Sequence, residues 1–369
     1  MVNKERLVGE FMELVKIDSL SRKERQMADL LKSKLERMGY SVIEDDAGSK
    51  IGGNSGNLLC TIKGNKNVPA VLLMAHMDTV TPGTGKNPVI EGNMIRTDGN
   101  TVLGGDDLAG VACILEAVKI LKENNIGHGD IQIAFTVAEE TGLLGAKNLD
   151  YSRIYAKYGF VMDNGGIIGT VAVSAPSQNE IHVTIKGKAA HAGLEPEKGV
   201  SAIQIAADAI SHMKLGRLDE ETTANIGVIN GGHATNIVCD KIEIKAECRS
   251  RNESKLMAQT EHMKECFENS AKKFGGSVDF VWEKMYPSYN IAEDEEIIAI
   301  LQKAAQKTGV KLLLEATGGG SDTNIINGKG IKAVDISVGM DKVHSVEEQI
   351  NIDDMVKATE FLVAAISSI

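Results

Sequence analysis

The 369-residue chain predicts an α/β fold: a mostly parallel sheet with helices on both faces, interrupted by an inserted ferredoxin-like α+β domain. Three observations predict it. Short apolar runs alternate with helical patterns in the first and last parts of the chain, as in a sheet covered on both sides. The middle part instead alternates apolar and polar residues within each strand, in the order β-α-β-β-α-β. Several of the apolar runs end in acids, and one ends in His-x-Asp.

The elements follow in order. Leu7, Phe11, Leu14 and Val15 share one face of an N-terminal helix, and a second helix over 22–38 stops at Gly39. Strands are expected at 57–63 and 70–75, and a Gly-rich turn at 104–105 leads into a helix over 107–123. Two further buried strands read at 131–138 and 158–162. The texture changes near 177. Strand 181–187, helix 199–214, strands 224–230 and 241–249, helix 253–274 and strand 277–283 form the inserted pattern. After Pro287 come a helix over 293–308, a strand over 311–315, an apolar segment over 331–338 and a closing helix over 353–367. The expected domains are therefore 1–176 with 288–369, and 177–287 inserted between them.

Composition narrows the function. The chain is 43% hydrophobic and 25% charged, ordinary for a soluble globular protein. Its formal net charge of −11 attracts neither nucleic acid nor an anionic membrane, so neither is expected as a partner. No secretory h-region opens the chain, and no run approaches the roughly 18 apolar residues of a membrane span. The cysteines Cys60, Cys113, Cys239, Cys248 and Cys266 are odd in number and lack C-x-x-C spacing. They read as reduced core thiols, which fits the cytoplasm.

Five places carry chemistry. In VLLMAHMDTV, an apolar run delivers His76 and Asp78 at a strand end; a ligating His usually has an orienting carboxylate nearby. GGDDLAG puts Asp106 and Asp107 before a helix, one acid more than a helix cap needs. Glu139 and Glu140 follow IQIAFTVA and point in different directions, so one can bind metal while its neighbour faces a bound water. Asp163 follows YGFVM, and His344 lies in VGMDKVHSVEE. Each alone also fits a capped strand end, a helix cap or a surface residue. Together they gain force, because ligands of an open α/β sheet bind outside the carboxyl ends of its strands. The donors are imidazoles and carboxylates without thiolates, which suits a hydrolytic zinc, cobalt or manganese site. With one acid reserved as base and one as orienter, the remaining candidates exceed what one ion needs. That points to two ions about 3.5–4 Å apart sharing a carboxylate.

HMDTV, GGDDLAG, AEETGLLGA and VHSVEE together resemble, in order and spacing, the metal-site motifs of the zinc peptidases related to peptidase T, carboxypeptidase G and aminoacylase. The resemblance covers nearly the whole chain. It implies that His76 and Asp163 bind one metal, that Glu140 and His344 bind the other, and that Asp106 bridges them. It implies that Glu139 is the general base acting on the bridging water, that Asp78 orients His76, and that the Asp106–Asp107 peptide bond is cis. AAHAGLEP resembles the lid motif, so His191 would stabilise the oxyanion. HATNIVCD and AECRSR resemble substrate-contacting positions, which implicates Asn236 and Arg249; TGGGSD resembles the substrate loop, which implicates Gly319 and Gly320. Leu108 stands where the family usually has Lys. Asp at position 163 goes mainly with aminopeptidase and dipeptidase members. The expected activity is thus a tripeptidase-like aminopeptidase acting on short peptides, with a homodimer through the inserted domain as an option. Its rivals are an N-acyl amino acid deacylase of the same fold and a non-catalytic metal-stabilised scaffold. The presence of Glu139 argues against the scaffold, which would need no base.

Overall fold

The computed structural model describes residues 1–369. The chain divides into two compact units: Met1–Val173 with Asn290–Ala316 and Ser321–Ile369, and Ser174–Tyr289 with Thr317–Gly320.

The first unit is built on a large mixed sheet. Its strands run in the order Val42–Glu44, Leu58–Ile62, Ile131–Thr136, Val71–His76, Tyr158–Gly165, Lys332–Asp341, Gln349–Asn351, Met94–Thr97 and Pro88–Glu91. Only the centre is parallel: Val71–His76 pairs with Ile131–Thr136 on one side and Tyr158–Gly165 on the other, and Tyr158–Gly165 pairs with Lys332–Asp341. Both flanks are antiparallel, so the expectation of a mostly parallel sheet is corrected to a mixed one. The sequence reading missed the hairpin Pro88–Glu91/Met94–Thr97, the strand Thr170–Ala175, the three-residue strand Gln349–Asn351 and the helix Asp322–Gly328. These are short and partly polar, and give little periodic signal.

All six residues of Val71–His76 and all six of Ile131–Thr136 are buried. Successive side chains alternate faces, so both faces of the central strands are covered. In chain order the chain leaves Val71–His76 for a neighbour on one side and then supplies one on the other. This is a topological switch point, where an open sheet splays and leaves a crevice at its carboxyl ends. The helix Gly105–Glu123 is buried over most of its length and packs against Val71–His76 and Tyr158–Gly165. It comes so close that a Cβ on Gly110 would stand 2.3 Å from the Met162 carbonyl oxygen. Leu108, at the position where a Lys was expected from resemblance, is fully buried.

The second unit carries an antiparallel sheet in the order Gly216–Arg217, Thr222–Gly231, Lys241–Ser250, Ser177–Lys186, Ser277–Tyr286. The helices Ala202–His212 and Glu253–Phe274 pack on one another and on the sheet. Lys241–Ser250 alternates exposed and buried residues along most of its length. Ile181, Val183, Ile185, Ile242 and Ile244 point into a core shared with Ile205, Leu256, Met263 and Phe267. All five cysteines are buried and free.

Candidate active site

The central strands of the first unit deliver their polar residues to one place. Val71–His76 ends at His76, and the imidazole Nδ1 lies 2.9 Å from the Asp78 carbonyl oxygen and 3.5 Å from its carboxylate. The Asp78 carboxylate itself accepts from the backbone N–H groups of Glu139 at 2.9 Å and Glu140 at 3.3 Å, and from the Ser21 hydroxyl at 2.6 Å. The main-chain carbonyl is thus the nearer partner of His76, while the Asp78 side chain holds the Glu139–Glu140 turn. Ala138, just before that turn, has φ 49°, and its N–H donates to the buried Glu24 carboxylate. A left-handed alanine costs on the order of 1–2 kcal/mol, and these hydrogen bonds offset it.

Asp106 occupies the middle. Its Oδ1 is 2.9 Å from His76 Nε2, and its Oδ2 is 3.1 Å from His344 Nε2. Asp163, inside the end of Tyr158–Gly165 rather than after it, comes within 3.6 Å of His76 Nε2. Glu140 Oε1 lies 2.9 Å from His344 Nε2. The two oxygens of Asp106 therefore face two groups, His76 with Asp163 and His344 with Glu140. His76, Asp106 and Glu140 offer ligand atoms within 4.8 Å of one another and could hold a metal ion. The Asp106–Asp107 bond is cis, as the resemblance implied.

The electrostatics follow from packing many acids into a buried space. Burial pushes the Glu139 carboxyl well above the usual carboxylate range; the His76 side chain opposes this, while Asp322, Glu140 and Asp78 add to it. Burial, then the charge of Asp107, raises Asp163 in the same way. Burial alone would keep His76 neutral, but the charge of Asp163 and the hydrogen bonds to Asp106 and Asp78 outweigh it and raise its pKa. Hydrogen bonds to Asp106 and then Glu140 lift His344 to about 10. The ion pairs of Asp106, Asp163 and Glu140 are made with these two histidines. A nest of carboxylates with only two imidazoles for compensation fits divalent cations, and its nitrogen and oxygen donors suit zinc, cobalt or manganese.

A second set of acids, of which only Asp107 was singled out from the sequence, holds the backbone that carries these groups. Asp107 accepts from the His76 N–H at 3.2 Å, Glu348 from the Asp106 N–H at 3.0 Å, and Asp335 from the Asp163 N–H at 3.0 Å. The Asp335 carboxylate also accepts from the Ser321 hydroxyl. Asp322 is buried and accepts from Thr136 Oγ1 at 2.6 Å. An acid inside an apolar run, such as Asp335 in KAVDISV, was the available signal, because a buried carboxylate needs donors.

The remaining sequence-derived residues lie in the second unit. His191 is exposed, and its Nδ1 accepts from the N–H groups of Gly193 at 3.1 Å and Leu194 at 3.2 Å. A neutral ring so held carries its proton on Nε2, which makes that nitrogen a donor. Asn236 is exposed, and its main-chain carbonyl accepts from the Ala192 N–H. The Arg249 guanidinium pairs with Glu247 through Nε at 3.0 Å and Nη2 at 2.9 Å. Gly319 donates its N–H to Thr317 Oγ1, and a Cβ on Gly320 would stand 2.3 Å from the Tyr286 ring.

Comparison with known proteins places the chain in a family. Residues 72–368 match the model of peptidase family M20/M25/M40. An uncharacterized Bacillus subtilis protein, YqjE, is 48% identical over 366 residues, spanning 99% of each chain. The crystal structure of the aminopeptidase PepT from Bacillus cereus superposes with a TM-score of 0.92 at 47% identity, covering 100% of this chain and 99% of that one. A tripeptidase from Staphylococcus aureus superposes with a TM-score of 0.96 at 41% identity, covering 100% and 98%. With its strand-end acids and histidines gathered at the switch point and the family match running over most of its length, the chain belongs to peptidase family M20/M25/M40 and is a peptidase.

Proposed function

We propose that the protein is a two-metal aminopeptidase that hydrolyses short peptides, tripeptides foremost. The observation that carries this reading is Asp106, whose two carboxylate oxygens face His76 with Asp163 on one side and His344 with Glu140 on the other. In this reading His76 and Asp163 would hold one ion, Glu140 and His344 the other, and Asp106 would be shared between them. Bound there, such ions, zinc foremost, would polarise the scissile carbonyl and lower the pKa of the attacking water. Glu139 takes the proton from that water and returns it to the leaving amine. His191 offers its Nε2–H to the developing oxyanion, and Asn236, Arg249, Gly319 and Gly320 contact the peptide. The tripeptide preference draws on the named activities of the Bacillus cereus and Staphylococcus aureus proteins. The unit Ser174–Tyr289 takes the lid role, and its edge strand Ser277–Tyr286, with Val281 exposed, is the proposed homodimer contact. The free thiols support a cytoplasmic location. No helix is long and apolar enough to cross a membrane.

Metal analysis of the purified protein, coupled to a chelator-sensitive assay on tripeptides and on N-acetyl amino acids, tests the reading. Two bound ions with tripeptide hydrolysis are expected. Turnover confined to N-acetyl amino acids replaces the aminopeptidase with a deacylase.

A further inference from the structure

We propose that Glu348 is a positioning residue that locks together the two chain segments bearing Asp106 and His344, and so sets the affinity of the ion these two residues share. The inference rests on the ligand assignment proposed above.

Glu348 is buried at 1% exposure, and both its oxygens accept from backbone. Oε2 accepts from the Gly104 N–H at 2.8 Å, and Oε1 accepts from the Asp106 N–H at 3.0 Å. Those donors need a partner. Gly104 is left-handed at φ 76°, and Asp106 and Asp107 depart from helical angles, so this turn lies outside the regular hydrogen-bonding ladder of the helix that follows. A buried N–H without an acceptor costs about 1–3 kcal/mol. The fit is close: a Cβ on Gly105 would lie 3.1 Å from Glu348 Oε1.

The main-chain end of Glu348 lies in the turn that follows His344. The Glu348 N–H donates to the Ser345 carbonyl at 3.1 Å, closing the turn that follows His344. His344 itself is held at φ 61°, a conformation a non-glycine residue keeps only when its surroundings impose it. Asp106 and His344 are distant in sequence but meet at 3.1 Å, and Glu348 is covalently close to one and hydrogen-bonded to the backbone of the other. Asp107 and Asp335 each accept from the backbone of one candidate ligand, whereas Glu348 ties two ligand-bearing segments to each other.

The test is a zinc titration of metal-free protein against a competing chelator, with circular dichroism to confirm folding. Wild type is measured first: binding of fewer than two ions sinks the ligand assignment itself, before any variant is made. Glu348→Gln replaces one acceptor oxygen with an amide that faces a backbone N–H. It is expected to weaken one of the two ions roughly 10–100-fold, with KM unchanged and kcat recovered by excess zinc. Glu348→Asp keeps the charge but shortens the reach, and a smaller weakening is expected. Glu347→Gln, at the exposed neighbour paired with Lys342, is expected to bind as wild type. Wild-type affinity in the Gln variant, or an equal loss in Glu347→Gln, overturns the proposal. Should the Gln variant fail to fold, the Asp variant decides: weakened zinc binding upholds the role, and unchanged binding removes it.

Discussion

Val71–His76 and Ile131–Thr136 in the first unit are buried at every residue, whereas Lys241–Ser250 in the second alternates between exposed and buried. The contrast sets where each sheet can carry chemistry. Where both faces are covered, a charged side chain needs donors from the protein itself. The first unit supplies them: Asp78, Asp107, Asp335 and Glu348 each accept from the main chain of a candidate site residue. In the second unit, His191 and Asn236 are exposed, and Arg249 pairs with a neighbouring glutamate. One region builds a pre-organised acidic nest; the other presents donors on a half-exposed scaffold with its own apolar core.

The largest effect that probes this contrast is metal removal. Chelation is expected to abolish peptide hydrolysis, with zinc, cobalt or manganese restoring it, while far-UV circular dichroism changes little. Persistent activity in metal-free protein breaks the reading of the nest. Next, Glu139→Gln is expected to lose roughly 10²–10⁴-fold in kcat with both ions retained, because it removes proton transfer and not a ligand. Turnover near wild type excludes Glu139 from the chemistry. His191→Ala in the second unit is expected to cost about 10²–10³-fold in kcat with metal content unchanged. Metal loss in that variant makes His191 a ligand and erases the division between the two regions. Phe267→Ala, at a fully buried residue of the second core, is expected to cost about 3–5 kcal/mol of stability by denaturant unfolding, with metal stoichiometry intact. The smallest effect is on pH. In the metal-free protein, hydrogen bonds to Asp106 and Glu140 keep His344 protonated up to about 10. A metal ion needs the neutral imidazole, so binding releases that proton and affinity rises with pH until about 10. A flat affinity profile across neutral pH overturns the raised pKa of His344 in the metal-free site.

Much of the nest was legible in the chain. His76, Glu139, Glu140 and Asp163 at the ends of apolar runs, and Asp106 at the start of a helix, stood out together, although each alone fits a capped strand end or a helix cap. His344 was marked by its motif, since its local surroundings are those of a surface loop and it remains half exposed. Of the acids that hold the backbone, Asp335 and Glu348 escaped notice for a different reason. Glu348 follows Glu347 in a polar stretch, and nothing local separates the exposed acid from the buried one. The antiparallel flanks escaped as well, because strands of three or four residues are too short for a period to register.

Hydrophobic patterning, which depends only on the order of residues, determined by itself the alternation of helices and strands, the change of texture near residue 177 and the set of acids and histidines available for chemistry. Only the tertiary structure decided the rest. It put Asp106 between two histidines, gave Asp78 a backbone-holding role, and set Glu348 against a turn far away in sequence. Those outcomes turn on hydrogen bonds of about 3 Å between distant segments, a distance that no local pattern encodes and that only the packing of strands and helices can set.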